Sequence, residues 1–296
     1  MDPLIDWALI AGSFVVAIVV GLTGMGGGAL MTPMMMLFFN VPPLAAVSSD
    51  LVASAVMKPV GGVVHLRRGT VNLRLVGWLC AGSVPAAFCG VFLARAFAVS
   101  DAVKYALGVA LLLAVAGMAL KSWLGGRGGT SSAHDIVVRP IPTLLVGTVG
   151  GLVVGVSSVG SGSLIIVALL VLYPALKANQ LVGTDLVQAV PLVAAAAVGH
   201  ILFGDFQLDL TLSLLIGSIP GVYLGARISS RAPGGLIRAM LAIVLLASAL
   251  KLLDVSNTLT VWALLAATAV TVVGWRVRVR AAARVSSGST DLEPAR

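Results

Sequence analysis

Two glycine-rich stretches are the parts of this chain best suited to chemistry: Gly21-Leu-Thr-Gly-Met-Gly-Gly-Gly28 and Gly155-Val-Ser-Ser-Val-Gly-Ser-Gly162. Each interrupts a long apolar run. A helix that restarts after such a break offers free backbone N–H groups and the positive end of its dipole. That combination binds anions. Gly24, Gly26, Gly27 and Gly28 let an anion approach the backbone, and Gly160 and Gly162 do so in the second stretch. Hydroxyls of Thr23, Ser157, Ser158, Ser161 and Ser163 are further donors. The plainer reading is that small residues only let helices pack closely; the pairing of the breaks favours the site. A dinucleotide loop does not fit, because no strand precedes the stretch and no acidic partner follows, and the chain has no GK[ST] phosphate loop.

The ionisable residues inside apolar segments are few. Lys58 lies mid-segment in Ala55-Val-Met-Lys-Pro59. A charge there costs a few kcal/mol or more unless it faces a cavity or a partner. Ser54, Lys58 and His65 fall near one helical face, and Lys58 either attracts a substrate anion, pairs with Asp50, or snorkels. Asp50 and Asp185 follow Ser48-Ser49 and Gly183-Thr184, where an acid caps a helix in its first turn; the alternative is a role in proton or ion coupling. His65 and His200 read as packed or interfacial histidines, with coupling as the second possibility. Cys80 and Cys89 share one apolar segment and form neither a disulfide framework nor a metal motif, and no motif points to a cofactor.

These residues sit in a chain that water cannot solvate. The sequence has 296 residues, 59% hydrophobic and 10% charged. Its mean hydropathy is +1.08, and a soluble domain carries about 25% charged residues. Lipid must cover it. The net charge of +8 does not indicate nucleic acid, because the basic residues lie between apolar segments rather than on one face. The first residues, MDPLIDWALI, carry no basic group ahead of the apolar run and do not resemble a cleaved signal peptide.

Apolar runs cover 4–39, 44–66, 75–97, 102–123, 141–173, 180–203, 208–229, 235–253 and 259–275. A crossing needs about 20 residues, so 4–39 and 141–173 are too long for one, and both carry a glycine break. A shift of 134 or 135 residues superposes the halves: Thr23 on Ser157, Gly26 on Gly160, Gly28 on Gly162, Asp50 on Asp185, His65 on His200, Gly82 on Gly217, Gly90 on Gly225. Lys58 falls on Val193.

The charge balance chooses between parallel and inverted repeats. With single crossings at the broken segments, Lys and Arg outside the spans divide 11 against 7; with re-entrant hairpins they divide 15 against 3. The positive-inside bias prefers the second. The expectation is an all-α integral membrane protein of two inverted four-segment repeats. Each repeat opens with a glycine-broken re-entrant hairpin, and a C-terminal helix is added. The expected parts are 1–124, a linker at 125–140, 141–254, an extra helix at 255–276 and a basic cytoplasmic tail at 277–296. The N-terminus is then outside. Paired broken helices in inverted halves mark the binding site of a secondary transporter.

Gly21–Pro33, Ser49-Asp50-Leu51, His65 and Gly82 through Gly90, repeated in order from Gly155 to Gly225, resemble the TauE/SafE-type sulfite exporters, also called 4-toluene sulfonate uptake permeases. The resemblance covers about 230 residues of the chain. It implies a multi-pass protein of a bacterial inner membrane that carries sulfite, thiosulfate, organosulfonates or similar small anions. The second stretch departs from the family's glycine-rich pattern, reading Ser157-Ser-Val-Gly-Ser-Gly-Ser163, and the extra hydroxyls bear on substrate choice. An enzyme needs a nucleophile with a base or a His/Asp cluster, and none assembles in the sequence. A channel or membrane scaffold is the alternative to a coupled permease.

Overall fold

The structure is a computed structural model. It describes residues 6–23, 28–67, 69, 71–97, 101–124, 136–160, 162, 164–176, 178–229 and 234–271. These are helical apart from short connections. The compact unit spanning Met1–Leu253 holds α1 (Trp7–Thr23), α2 (Gly28–Phe38), α3 (Pro43–Arg67), α4 (Leu73–Ala96), α5 (Ala102–Leu124), α6 (Pro140–Ser157), α7 (Leu164–Leu172), α8 (Ala178–Phe203), α9 (Leu208–Ser229) and α10 (Gly234–Leu252). A second unit, Asp254–Arg296, contributes the apolar helix α11 (Asn257–Thr271).

Local chemistry sets the helix ends. The Asn72 side chain accepts the Leu75 N–H (3.0 Å) and caps α4. Pro43 and Pro140 open α3 and α6, where a missing N–H costs nothing. Among the described residues five helices are long and apolar enough to cross a membrane: α4, α5, α6, α8 and α9. Trp7, Phe38, Val149, Tyr223 and Val270 are among the large apolar side chains exposed on the outside, as a lipid-solvated surface requires.

The two longest apolar runs each form two helices, and the far ends of each pair lie close together. The Tyr173 hydroxyl, just past α7, accepts the Arg139 N–H (2.8 Å) and lies 2.6 Å from Thr143 Oγ1 at the start of α6. Likewise a Cβ on Gly12 of α1 would stand 3.2 Å from the ring of Phe39, just past α2.

Glycine controls the closest helix contacts. Gly147, Gly151 and Gly155 press α6 onto the Leu79, Ser83 and Ala87 carbonyls of α4. Gly217, Gly221 and Gly225 press α9 onto the Ile10, Phe14 and Ile18 carbonyls of α1. Spacing by four residues puts each glycine set on one helix face. In an apolar solvent this close backbone approach drives helix association. Gly82, Gly90, Gly217 and Gly225 therefore serve packing.

Candidate functional site

α3 packs against α8, with Gly62 of α3 beside Val190 and the Leu186 carbonyl. Along α3, Asp50, Ser54 and Lys58 recur every four residues and share a face. All three are buried, as are Asp185 and Gln188 on α8. The first-turn reading of the two acids does not survive. α3 begins at Pro43 and α8 at Ala178, so Asp50 and Asp185 lie two turns inside their helices and cap nothing. Pro43, not Ser48-Ser49, marks where the α3 turn begins.

Asp50 ties three elements together. Its Oδ2 accepts the Thr32 hydroxyl of α2 (2.9 Å) and the Ser158 hydroxyl from the second break (2.6 Å). Its Oδ1 is buried and receives no hydrogen bond. Ser158 ends α6 in the left-handed conformation (φ 59°), and its N–H donates to the Val154 carbonyl. Gly160 and Gly162 continue the break at φ 134° and 95°, where a Cβ would be strained. Gly28, the first residue of α2, lies against Ser158: a Cβ on it would collide with the Ser158 carbonyl oxygen. The two breaks thus meet, with Asp50 beneath them. Lys58 is within electrostatic reach of both Asp50 and Asp185. Residues 9–252 match the profile of the family described as Sulfite exporter TauE/SafE.

The chain belongs to that family. It is 36% identical over 252 residues to the probable membrane transporter protein YjnA of Bacillus subtilis (strain 168), covering 83% of this chain and 98% of the relative. The probable membrane transporter protein YdhB of the same organism is 24% identical over 74% of this chain and 89% of its own. The probable membrane transporter protein ORF9 of Sinorhizobium sp is 28% identical over 86% and 96%. No solved structure gives a significant match. This TauE/SafE protein is a multi-pass membrane transporter.

The other expected site residues divide. Ser157 Oγ donates to the Val153 carbonyl (2.7 Å) and receives the Val159 N–H (3.2 Å), so it finishes α6. Gly24, Gly26, Gly27, Ser161 and Ser163 lie outside the described residues, and of Thr23 only the helical backbone is described. His65 is half-buried in the last turn of α3. His200 is fully buried between α3 and α6. Its Nε2 is 2.8 Å from the Gly155 carbonyl and its Nδ1 is 2.8 Å from Ser48 Oγ. A carbonyl only accepts, so Nε2 carries the hydrogen, and in the neutral ring Nδ1 accepts the Ser48 hydroxyl. The Asp205 N–H completes the chain by donating to Ser48 Oγ (3.3 Å). This arrangement holds the α6 break against α3.

Sequence reading missed Thr32, Ser83 and Gln188, and gave Ser54 only a place on the face of Lys58. Gln188 Nε2 donates to Ser83 Oγ (3.1 Å), while its Oε1 and Ser54 Oγ are buried without a hydrogen-bond partner. The available signal was position: Thr32 follows Gly28 by one turn, Ser54 lies between Asp50 and Lys58, and Gln188 follows Asp185 by three residues. Among the described residues no cluster of three His, Cys, Asp or Glu is placed to hold a metal.

Proposed function

We propose that this TauE/SafE protein is a secondary transporter of small sulfur-containing anions, which bind where the two broken helices meet. The observation that carries the reading is the contact of Gly28 with Ser158. It brings the N-terminus of α2 and the hydroxyl-bearing end of α6 to one point. N–H groups at that helix start and the Thr32 and Ser158 hydroxyls offer the donor set an oxyanion needs. Lys58 supplies a fixed cation nearby, whose field is much stronger in this apolar interior than in water.

The proposed topology is seven crossings and two re-entrant hairpins, with the N-terminus outside and the tail in the cytoplasm. Two features support it. The chain returns at α2 and α7, as hairpins must. The pairs α1 with α9 and α4 with α6 also exchange under the 135-residue shift, as a two-fold relation between halves demands. The proposed parts remain the repeats 1–124 and 141–254 around the linker 125–140, then 255–276 and the tail 277–296.

Proteoliposomes test the function directly. Vesicles loaded with sulfite, thiosulfate or methanesulfonate should take up the same labelled anion by counterflow. A channel would conduct without counterflow. Failure of all three anions to exchange or conduct would overturn the substrate reading.

A further inference from the structure

We propose that Asp50 is a tethered stand-in for the substrate, and that it yields its place by taking up a proton, so that each monovalent anion travels with one proton. The proposal rests on the reading of the two breaks as the anion site and adds its coupling.

The hydroxyls nearest the meeting point are already committed. Thr32 Oγ1 and Ser158 Oγ both donate to Asp50 Oδ2, at 2.9 and 2.6 Å. They come from different halves of the chain, so the carboxylate does what a bound oxyanion would do: it draws the two breaks together. A second anion cannot join it cheaply, because like charges a few ångströms apart in a low-dielectric site repel strongly. Asp50 must become neutral for the donors to turn to a substrate. Its Oδ1 is the atom for that: buried, without a donor, and holding a free lone pair. A proton from water forms the Oδ1–H bond as the anion enters, and the same bond breaks when the anion leaves on the other side.

The charges agree. Among the described residues the buried charged side chains are Asp50, Lys58 and Asp185. With both acids ionised the trio sums to −1. With Asp50 protonated, Lys58 and Asp185 balance, and an incoming monovalent anion restores −1. The loaded and empty sites then carry the same charge, which keeps the cost of burying charge the same in both states. Among the described residues no further charged side chain is buried in the protein. α2 and the stretch Ser157–Gly160 contain no titratable side chain. α8 brings Asp185, and His200, which is held by Ser48 and Gly155. On α9, Asp209 and Arg227 are exposed near its ends, and on α5 Lys104 and Tyr105 lie in the first turn.

The test uses wild-type protein and Asp50→Asn in proteoliposomes holding a trapped pH dye, with methanesulfonate and thiosulfate as probes. In wild type, anion entry should acidify the lumen. An imposed gradient of one pH unit should accumulate methanesulfonate about tenfold, since one unit is a factor of ten in proton activity. Asp50→Asn keeps the size but carries no proton to exchange, so it should give neither lumen acidification nor accumulation. Wild-type net anion entry with no lumen acidification overturns this proposal alone. Absence of wild-type counterflow for both probes overturns the site reading and this proposal with it. If Asp50→Asn does not fold, the wild-type proton measurement still decides. If it folds and anion entry still acidifies the lumen, Asp50 does not carry the proton and the proposal fails.

Discussion

A buried histidine with both ring nitrogens engaged is a fastener rather than a switch. Replacing His200 by alanine leaves the Gly155 carbonyl and the Ser48 hydroxyl short of a partner in a buried site. Each such loss costs about 1–3 kcal/mol. His200→Ala should therefore lower the melting temperature in detergent by several degrees, while the pH profile of transport stays that of wild type; an altered profile would give the ring a role in proton movement. Lys58 is the opposite case, a cation between two acids. Lys58→Gln should raise the KM for the transported anion about tenfold, or ~1.4 kcal/mol, and an unchanged KM would leave the lysine only its balance with Asp50 and Asp185. At this scale the sequence was partly legible. A lysine amid Ala55-Val-Met stands out because burying charge is expensive. The place of Asp50 was not readable. Serine before aspartate is the ordinary N-cap signature, and here Pro43 had already started the helix two turns earlier. Nor does anything local announce that Thr32 and Ser158, 126 residues apart in number, would meet one oxygen.

Helix breaks are legible for a simple reason: glycine is the residue that tolerates the backbone there. Gly160 and Gly162 adopt φ values that a Cβ resists. That the far ends of each helix pair come together is carried by Tyr173 and Phe39, which no motif marks. Element-level predictions follow from where a Cβ would go. Gly28→Val should abolish uptake while the protein still inserts, since the new side chain meets the Ser158 carbonyl and forces the breaks apart. Gly151→Leu should fail earlier, at folding, because it pushes into the Ser83 backbone of α4. Gly77→Ala is the control. It faces open space on α4, and alanine should leave transport unchanged and stabilise the helix by about 0.5–1 kcal/mol. Fluorescence size-exclusion profiles beside uptake rates separate the three outcomes; uptake by Gly28→Val would remove the meeting of the breaks from the mechanism.

Charge distribution reports on the whole molecule because it is summed over every loop. The 15-to-3 division predicts that the turn at Gly69 is cytoplasmic and that Asp205 is external. Gly69 is exposed with open space around it, so a cysteine fits at the cost of a left-handed backbone, about 1–3 kcal/mol. Asn72 is a poorer probe position, being a buried helix cap. In a background lacking Cys80 and Cys89, Gly69→Cys should resist an impermeant thiol reagent on intact cells and Asp205→Cys should react. Labelling of Gly69→Cys from outside would make the halves parallel.

The partnership of α1 with α9 has a consequence for how the protein is made. α1 ends at Thr23 and α9 begins at Leu208, so 185 residues of translation separate the partners. At about 5–20 residues per second the first helix waits roughly 10–40 s before its groove exists. Throughout that interval the carbonyls of Ile10, Phe14 and Ile18, bare for close approach by Gly217, Gly221 and Gly225, face lipid or an insertion factor. Neither half can complete its own packing, because α4 waits in the same way for α6. Cells expressing residues 1–130 and 131–296 as separate chains should therefore accumulate both fragments only when both are present, and degrade either one alone.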